Sequence, residues 1–127
     1  MLNKEEYNIK KITEEDVKQF SLISGDDNPI HLDDEYAKKS RFGKRIAHGI
    51  LVASHISALI ANKLPGEGSI YLSQSLNFLS PVYLNDEIKT VVKVIEVQGK
   101  KYTLDCKCYN QDEVIVLEGI AKILKEE

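Results

Sequence analysis

The chain has 127 residues, 43% hydrophobic and 29% charged, which suits a single globular domain with its own core over residues 1–127. A formal net charge of −3 and a pI near 5.7 exclude the clustered basic footprint of a nucleic-acid binder. The longest apolar run, Gly49 to Leu64, is short and is interrupted by Ser54, His55, Ser57 and Asn62, so no membrane span is expected.

The opening MLNKEEYNIK lacks the apolar segment of a signal peptide. Two cysteines, Cys106 and Cys108, are too few and too close for a disulfide framework. They read as packing residues of one strand face, and a cytoplasmic protein with reduced thiols is expected. Tyr7 to Ile12 reads as a short first strand. Thr13 then caps a helix over about 14–24, with Asp16 completing a capping box and Ile12 and Val17 forming a hydrophobic staple. Glu14, Glu15 and Asp16 suit the positive end of the helix dipole, and Gly25 suits its stop. Val17, Phe20 and Ser24 mark one face, and Leu22 and Ile23 add apolar surface.

Asp26 to His31 cannot continue that helix, because Pro29 disfavours helical geometry at Asn28 and Asp and Asn favour turns. Asp33 or Asp34 caps a short helix that ends at Lys38 and Lys39. Ser40 to Ile46 reads as a polar loop around Gly43. A helix over about 49–64 is apolar on nearly all sides and reads as buried. Gly49, Ala53, Ser57 and Ala61 recur every four residues, a stripe of small side chains expected to let a curved sheet approach. Pro65, Gly66 and Gly68 end the helix.

The remainder reads as antiparallel strands. Ile70, Leu72, Leu76 and Phe78 are expected on one face of the first, with Gln74 interrupting the alternation and Pro81 ending it. Ile88 to Val97, then Tyr102 to Cys108, then Val114 to Leu124 follow as a meander, with turns at Gly99 and Asn110–Asp112. A long helix followed by long antiparallel strands gives an α+β fold with helices on one sheet face. Its exposed edge could be closed by pairing two copies.

The densest chemistry lies between Ser24 and Gly49. Asp26 and His31 lie five apart across a sharp turn, so both can face one water, which a carboxylate and an imidazole can hold and deprotonate. Asn28 can fix the turn by bonding to its backbone. The alternative is a solvated acidic turn with an incidental histidine, and Asp27 is a second carboxylate candidate. Gly49 starts a helix, where unpaired N–H groups attract negative charge and could stabilise an oxyanion. It could equally serve only tight packing. His48 can brace the helix start or line a pocket, and His55 reads as a core or interface residue. The spacing of the three histidines does not match a zinc motif. No serine-hydrolase elbow, dinucleotide fingerprint or phosphate loop is present either.

The run Gly25-Asp26-Asp27-Asn28-Pro29-Ile30-His31, followed by Ile46-Ala47-His48-Gly49, resembles the hydratase-2 motif of the MaoC-like family. The similarity extends from ITEEDVKQFSLISGD through LPGEGSIYLSQSLNFLSPVYLNDEI, nearly the whole chain. The resemblance is closest to the short-chain (R)-specific enoyl-CoA hydratases that supply polyhydroxyalkanoate synthesis. It implies a hot-dog fold, a long central helix wrapped by an antiparallel sheet, and a homodimer binding acyl-CoA near the subunit interface. It implies that Asp26 and His31 add water to a trans-2-enoyl thioester, giving the (R)-3-hydroxyacyl product. The Gly49 N–H would hold the thioester oxygen, with no metal and no redox cofactor. Asn28 and His48 would support the site, and Ser57, Leu72 and Leu76 would line the acyl pocket. Relatives usually carry proline at the position of Arg45; here Lys44 and Arg45 either offer a contact for CoA phosphates or are two solvated basic residues. Alternatives are a 3-hydroxyacyl dehydratase working on acyl-carrier protein, a hot-dog thioesterase, which the Asp26/His31 spacing disfavours, and a non-catalytic acyl-CoA-binding module.

Overall fold

Thr13 opens the first helix as its spacing foretells: its hydroxyl accepts from Asp16 N, and the Asp16 carboxylate accepts from Thr13 N. In the computed structural model, which describes residues 1–126, this helix, α1, spans Glu14–Ser24. Gly25 closes it in the left-handed conformation, at φ +83°. Before it, β1 covers Glu5–Lys11. After it come two short helices, α2 (Pro29–Leu32) and α3 (Asp34–Lys38), capped by the side chains of Asn28 and Asp33. The long helix α4 covers Gly49–Asn62.

The strands are β2 (Ile70–Gln74), β3 (Asn77–Phe78), β4 (Glu87–Gln98), β5 (Lys101–Tyr109) and β6 (Ile115–Leu124). All pairings are antiparallel, in the order β1-β4-β5-β6-β2, with β3 continuing along β6. The fold is α+β, with β4, β5 and β6 forming the expected meander behind α4: a hot-dog arrangement. Leu104, Cys106 and Cys108 are fully buried, as period-two alternation along β5 requires. Ile88, Val92 and Val94 of β4 meet Val52, Ile56, Leu59 and Ile60 of α4 in one core.

Three expectations need correction. The small-residue stripe of α4 meets the sheet only at its start: Gly49 lies under Phe78 of β3 and Ala53 is half-buried, but Ser57 and Ala61 are exposed. The larger side chains face the sheet instead, because they remove more apolar area from water. Of the face expected on α1, Val17 is buried and Phe20 half-buried, but Ser24 is exposed and Ser21 takes the buried place, while Leu22 and Ile23 protrude, 84% and 86% exposed. The strand expected from Ile70 to Phe78 breaks in two, with a register shift between Tyr71 and Ser73. Ile70, Tyr71 and Leu72 therefore lie exposed on a sheet edge, and only Leu76 packs against the core.

The break between β2 and β3 has a visible cause. Ser75 N donates to Ile120 O, and Ile120 N donates to Ser75 Oγ, both at 2.9 Å. This draws the Ser75 backbone over Gly119, where a Cβ would lie 1.8 Å from Ser75 O. Among the described residues, no helix is long and apolar enough to cross a membrane.

Candidate active site

The turn after α1 is built by its own side chains. Ser24 Oγ accepts from Asp26 N at 3.0 Å, Asp26 Oδ1 accepts from Asn28 N at 3.2 Å, and Asn28 Oδ1 accepts from Ile30 N at 3.3 Å. Pro29 then stands at the first position of α2, where its missing N–H costs nothing. The turn delivers His31 into the interior, 8% exposed, while Asp26 stays at the surface. One side-chain atom each from Asp26, His31 and His48 falls within 4.8 Å of the others.

His31 Nδ1 lies 2.7 Å from the Ile46 carbonyl. A carbonyl only accepts, so Nδ1 carries the hydrogen and Nε2 of the neutral ring keeps a free lone pair. The same reasoning applies to His48, whose Nε2 lies 3.1 Å from Asp26 O and donates to it. Ser21 Oγ lies at the same 3.1 Å distance from that nitrogen. Burial pushes the His48 imidazole below its usual 6.5, and the neighbouring His31 adds to this against the opposing Asp26 bond. The two imidazoles stack, with centroids 3.8 Å apart and planes at 27°. Phe20 packs against the other side of His48 at 4.8 Å.

His48 is thus tied to α1, to the Asp26 backbone and to His31, while serving as the N-cap residue of α4. Its side chain makes no cap bond, which leaves the first N–H groups of α4, that of Gly49 included, open to a ligand. The cluster suits a metal poorly. The nitrogens of stacked imidazoles have in-plane lone pairs running side by side, and these do not converge on an ion at about 2.0–2.1 Å.

Beside this cluster opens a cavity of about 390 Å³, within the roughly 300–1,000 Å³ typical of ligand pockets. His31 and Gly49 both reach it, and its walls are largely apolar: Ile50, Phe78, Leu79, Val82 and Val116. Phe78 sits close over Gly49, where an added Cβ would come within 2.5 Å of the ring. These walls come from the first turn of α4, from β3 and β6 and from the segment between β3 and β4, and none of them was among the residues expected to line the acyl pocket.

The structure therefore brings together Asp26, His31, Asn28, His48 and Gly49, and leaves other expected residues elsewhere. None of Ser57, Leu72 and Leu76 lines the cavity. Ser57 is eight residues into α4, about 12 Å along the axis from Gly49 at 1.5 Å per residue. Leu72 borders a separate depression with Tyr102 and Lys122. Arg45 is 11% exposed and held by Glu14, by Asp34 Oδ1 at 2.8 Å and by the Leu32 carbonyl at 3.4 Å. It fastens α1 to α3, so the cation expected to meet phosphate is already paired. Lys44 is exposed, its ammonium 4.8 Å from the Tyr83 ring centroid. His55 is buried, as a core histidine should be, with its Nδ1 unpartnered.

A family model described as "MaoC like domain" matches residues 3–114. A 3-hydroxybutyryl-CoA dehydratase of Methylorubrum extorquens is 42% identical over 121 residues, covering 93% of this chain and 77% of that protein. A mitochondrial 3-hydroxyacyl-[acyl-carrier-protein] dehydratase of Arabidopsis thaliana is 40% identical over 112 residues, covering 84% of this chain and 66% of that protein. The solved structure of an R-hydratase from Pseudomonas aeruginosa superposes with a TM-score of 0.95 at 40% identity, covering 100% of this chain and 83% of that one. By sequence along most of its length, and by fold, the chain belongs to the MaoC-like family.

Proposed function

We propose that this chain is an (R)-specific enoyl-CoA hydratase, adding water to trans-2-enoyl-CoA to give (R)-3-hydroxyacyl-CoA. The observation that carries this reading is one largely apolar cavity reached both by His31, whose Nε2 is free, and by the uncapped start of α4, with a carboxylate oxygen of Asp26 within 4.8 Å of a His31 ring nitrogen. The acyl chain enters the cavity with its thioester oxygen at the Gly49 N–H. Asp26 and His31 each accept a hydrogen from one water, which aims the oxygen lone pair at the β-carbon. As the C–O bond forms, His31 Nε2 takes a proton and the alkene electrons move toward the thioester. The charge gathering on the thioester oxygen is stabilised by the helix start. A proton returned to the α-carbon on the same face completes the addition.

The chain acts as a homodimer in this proposal, and the exposed apolar edge of β2 favours such pairing. The test is hydration of crotonyl-CoA, followed by loss of the ultraviolet absorbance of the conjugated thioester, with the product resolved on a chiral column. Asp26→Asn and His31→Ala should each lower kcat by at least about a hundredfold, the lower end for general acid–base catalysis, with the thermal melt preserved. An active double variant, or an (S) product, would overturn the assignment. The Arabidopsis relative favours one second reading, the reverse reaction on a carrier-protein thioester. A higher kcat/KM on enoyl-carrier protein than on enoyl-CoA would select it.

A further inference from the structure

Among the residues that line the cavity, Arg41 alone carries a permanent charge. Its side chain is exposed, and among the described residues it has no carboxylate partner. That sets it apart from Arg45, four residues on, which is committed to Glu14 and Asp34. The loop carrying Arg41 is nevertheless held firmly. Ser40 Oγ donates to Ala37 O at 2.6 Å and accepts from Phe42 N at 3.2 Å. Gly43 N donates to Ser40 O at 3.2 Å, with Gly43 at φ +77°, where a glycine is favoured. Tyr83 Oη donates to Phe42 O at 3.2 Å, tying the loop to the segment before β4. The guanidinium itself rests 5.0 Å from the Phe42 ring centroid. A fixed backbone thus presents one unpaired guanidinium to an opening whose other walls are largely apolar.

A guanidinium is less strongly hydrated than an ammonium, and its planar fork matches two oxygens of a phosphate. Acyl thioesters of pantetheine carriers bring phosphate at the far end of the arm from the reacting carbonyl. We propose that Arg41 binds a phosphate ester of the substrate's pantetheine carrier, making it a specificity residue for phosphorylated over truncated thioesters. This rests on the hydratase reading for the placement of the thioester. Two sources share the chemistry: the phosphates of CoA and the phosphodiester of a carrier-protein prosthetic group.

The experiment compares wild type, Arg41→Gln and Arg41→Lys on crotonyl-CoA, crotonyl-carrier protein and crotonyl-pantetheine, which has no phosphate. Calorimetric titration with CoA alone gives a readout independent of turnover. Arg41→Gln should raise KM for the phosphorylated thioester about tenfold, the equivalent of about 1.4 kcal/mol, with the effect in KM and not in kcat. The loss should be absent with crotonyl-pantetheine and partly restored in Arg41→Lys. If it appears only with the carrier-protein thioester, the phosphate recognised is that of the carrier. Equal losses on all thioesters, or none on any, would overturn the proposal. A wild-type protein that turns over no thioester but binds CoA through Arg41 would defeat the hydratase reading and leave the phosphate site standing. Failure to bind CoA and carrier protein alike would remove both.

Discussion

Gly49→Ala offers a sharp test of the site geometry. The added Cβ would meet Phe78 Cε1 at 2.5 Å and Cδ1 at 2.6 Å. Ordinary carbon contacts begin near 3.5 Å, so the ring must retreat by about 1 Å. Phe78 is 53% exposed and its ring is the far end of a side chain, so it can move at modest cost. Stability should therefore change by less than about 1 kcal/mol, while the backbone N–H of residue 49 is retained. Activity should suffer more, because displacing groups around a bound substrate by about 1 Å can cost about a hundredfold. Crotonyl-CoA hydration would be followed for Gly49→Ala, Phe78→Ala and the double variant. If the ring transmits the damage, Gly49→Ala should cost much less in the Phe78→Ala background, with a coupling of about 1–2 kcal/mol in the transition-state free energy. Strict additivity would refute this reasoning and place the cost at the glycine itself.

Gly119→Ala should lower unfolding free energy by about 3 kcal/mol or more in urea titration, because the clash at 1.8 Å is with the Ser75 backbone and not with a movable side-chain end. Arg45→Met should lower stability by about 1 kcal/mol, chiefly through loss of its part-buried bond to the Leu32 carbonyl, and leave the KM for crotonyl-CoA where it was. A rise in KM without a change in melting temperature would instead return Arg45 to the phosphate role read from its position in the sequence. Burial holds both His48 and His55 below 6.5, with Lys10 reinforcing the effect at His55. The unfolded chain then binds more protons than the native one between the folded values and 6.5, so stability falls as pH drops through that window. His55→Leu should flatten the decline of melting temperature on acidification, and an unchanged slope would remove His55 as a contributor.

Local rules were sufficient for much of this molecule. The Thr13–Asp16 capping box, the Gly25 stop, the Asp26–Asn28 turn and the alternation of Leu104, Cys106 and Cys108 all depend on neighbours within about four residues, where backbone preferences and hydrogen-bond reach decide the outcome. The spacing of Asp26, Asn28 and His31 belongs to the same class, which is why that part of the candidate site was legible. So was the helix starting at Gly49. Its orientation was not, since an apolar helix on all sides leaves open which face meets the sheet, and the larger residues prevailed over the small stripe.

Contacts between distant segments decided the remainder. His48 joins Ser21, Asp26 and His31 across as many as 27 positions, and Arg45 reaches Glu14 across 31. Ser75 and Ile120 pair across 45, and that pairing makes Gly119 indispensable as a glycine. Taken alone, the sequence determined most of the helices and strands and which groups could handle a water and an oxyanion. Only the folded chain decided which cation is paired, which one faces the cavity and which apolar residues wall it. The reason is physical: an ion pair or a steric overlap depends on through-space separation, and the separation of residues distant along the chain exists only after the sheet has closed around α4.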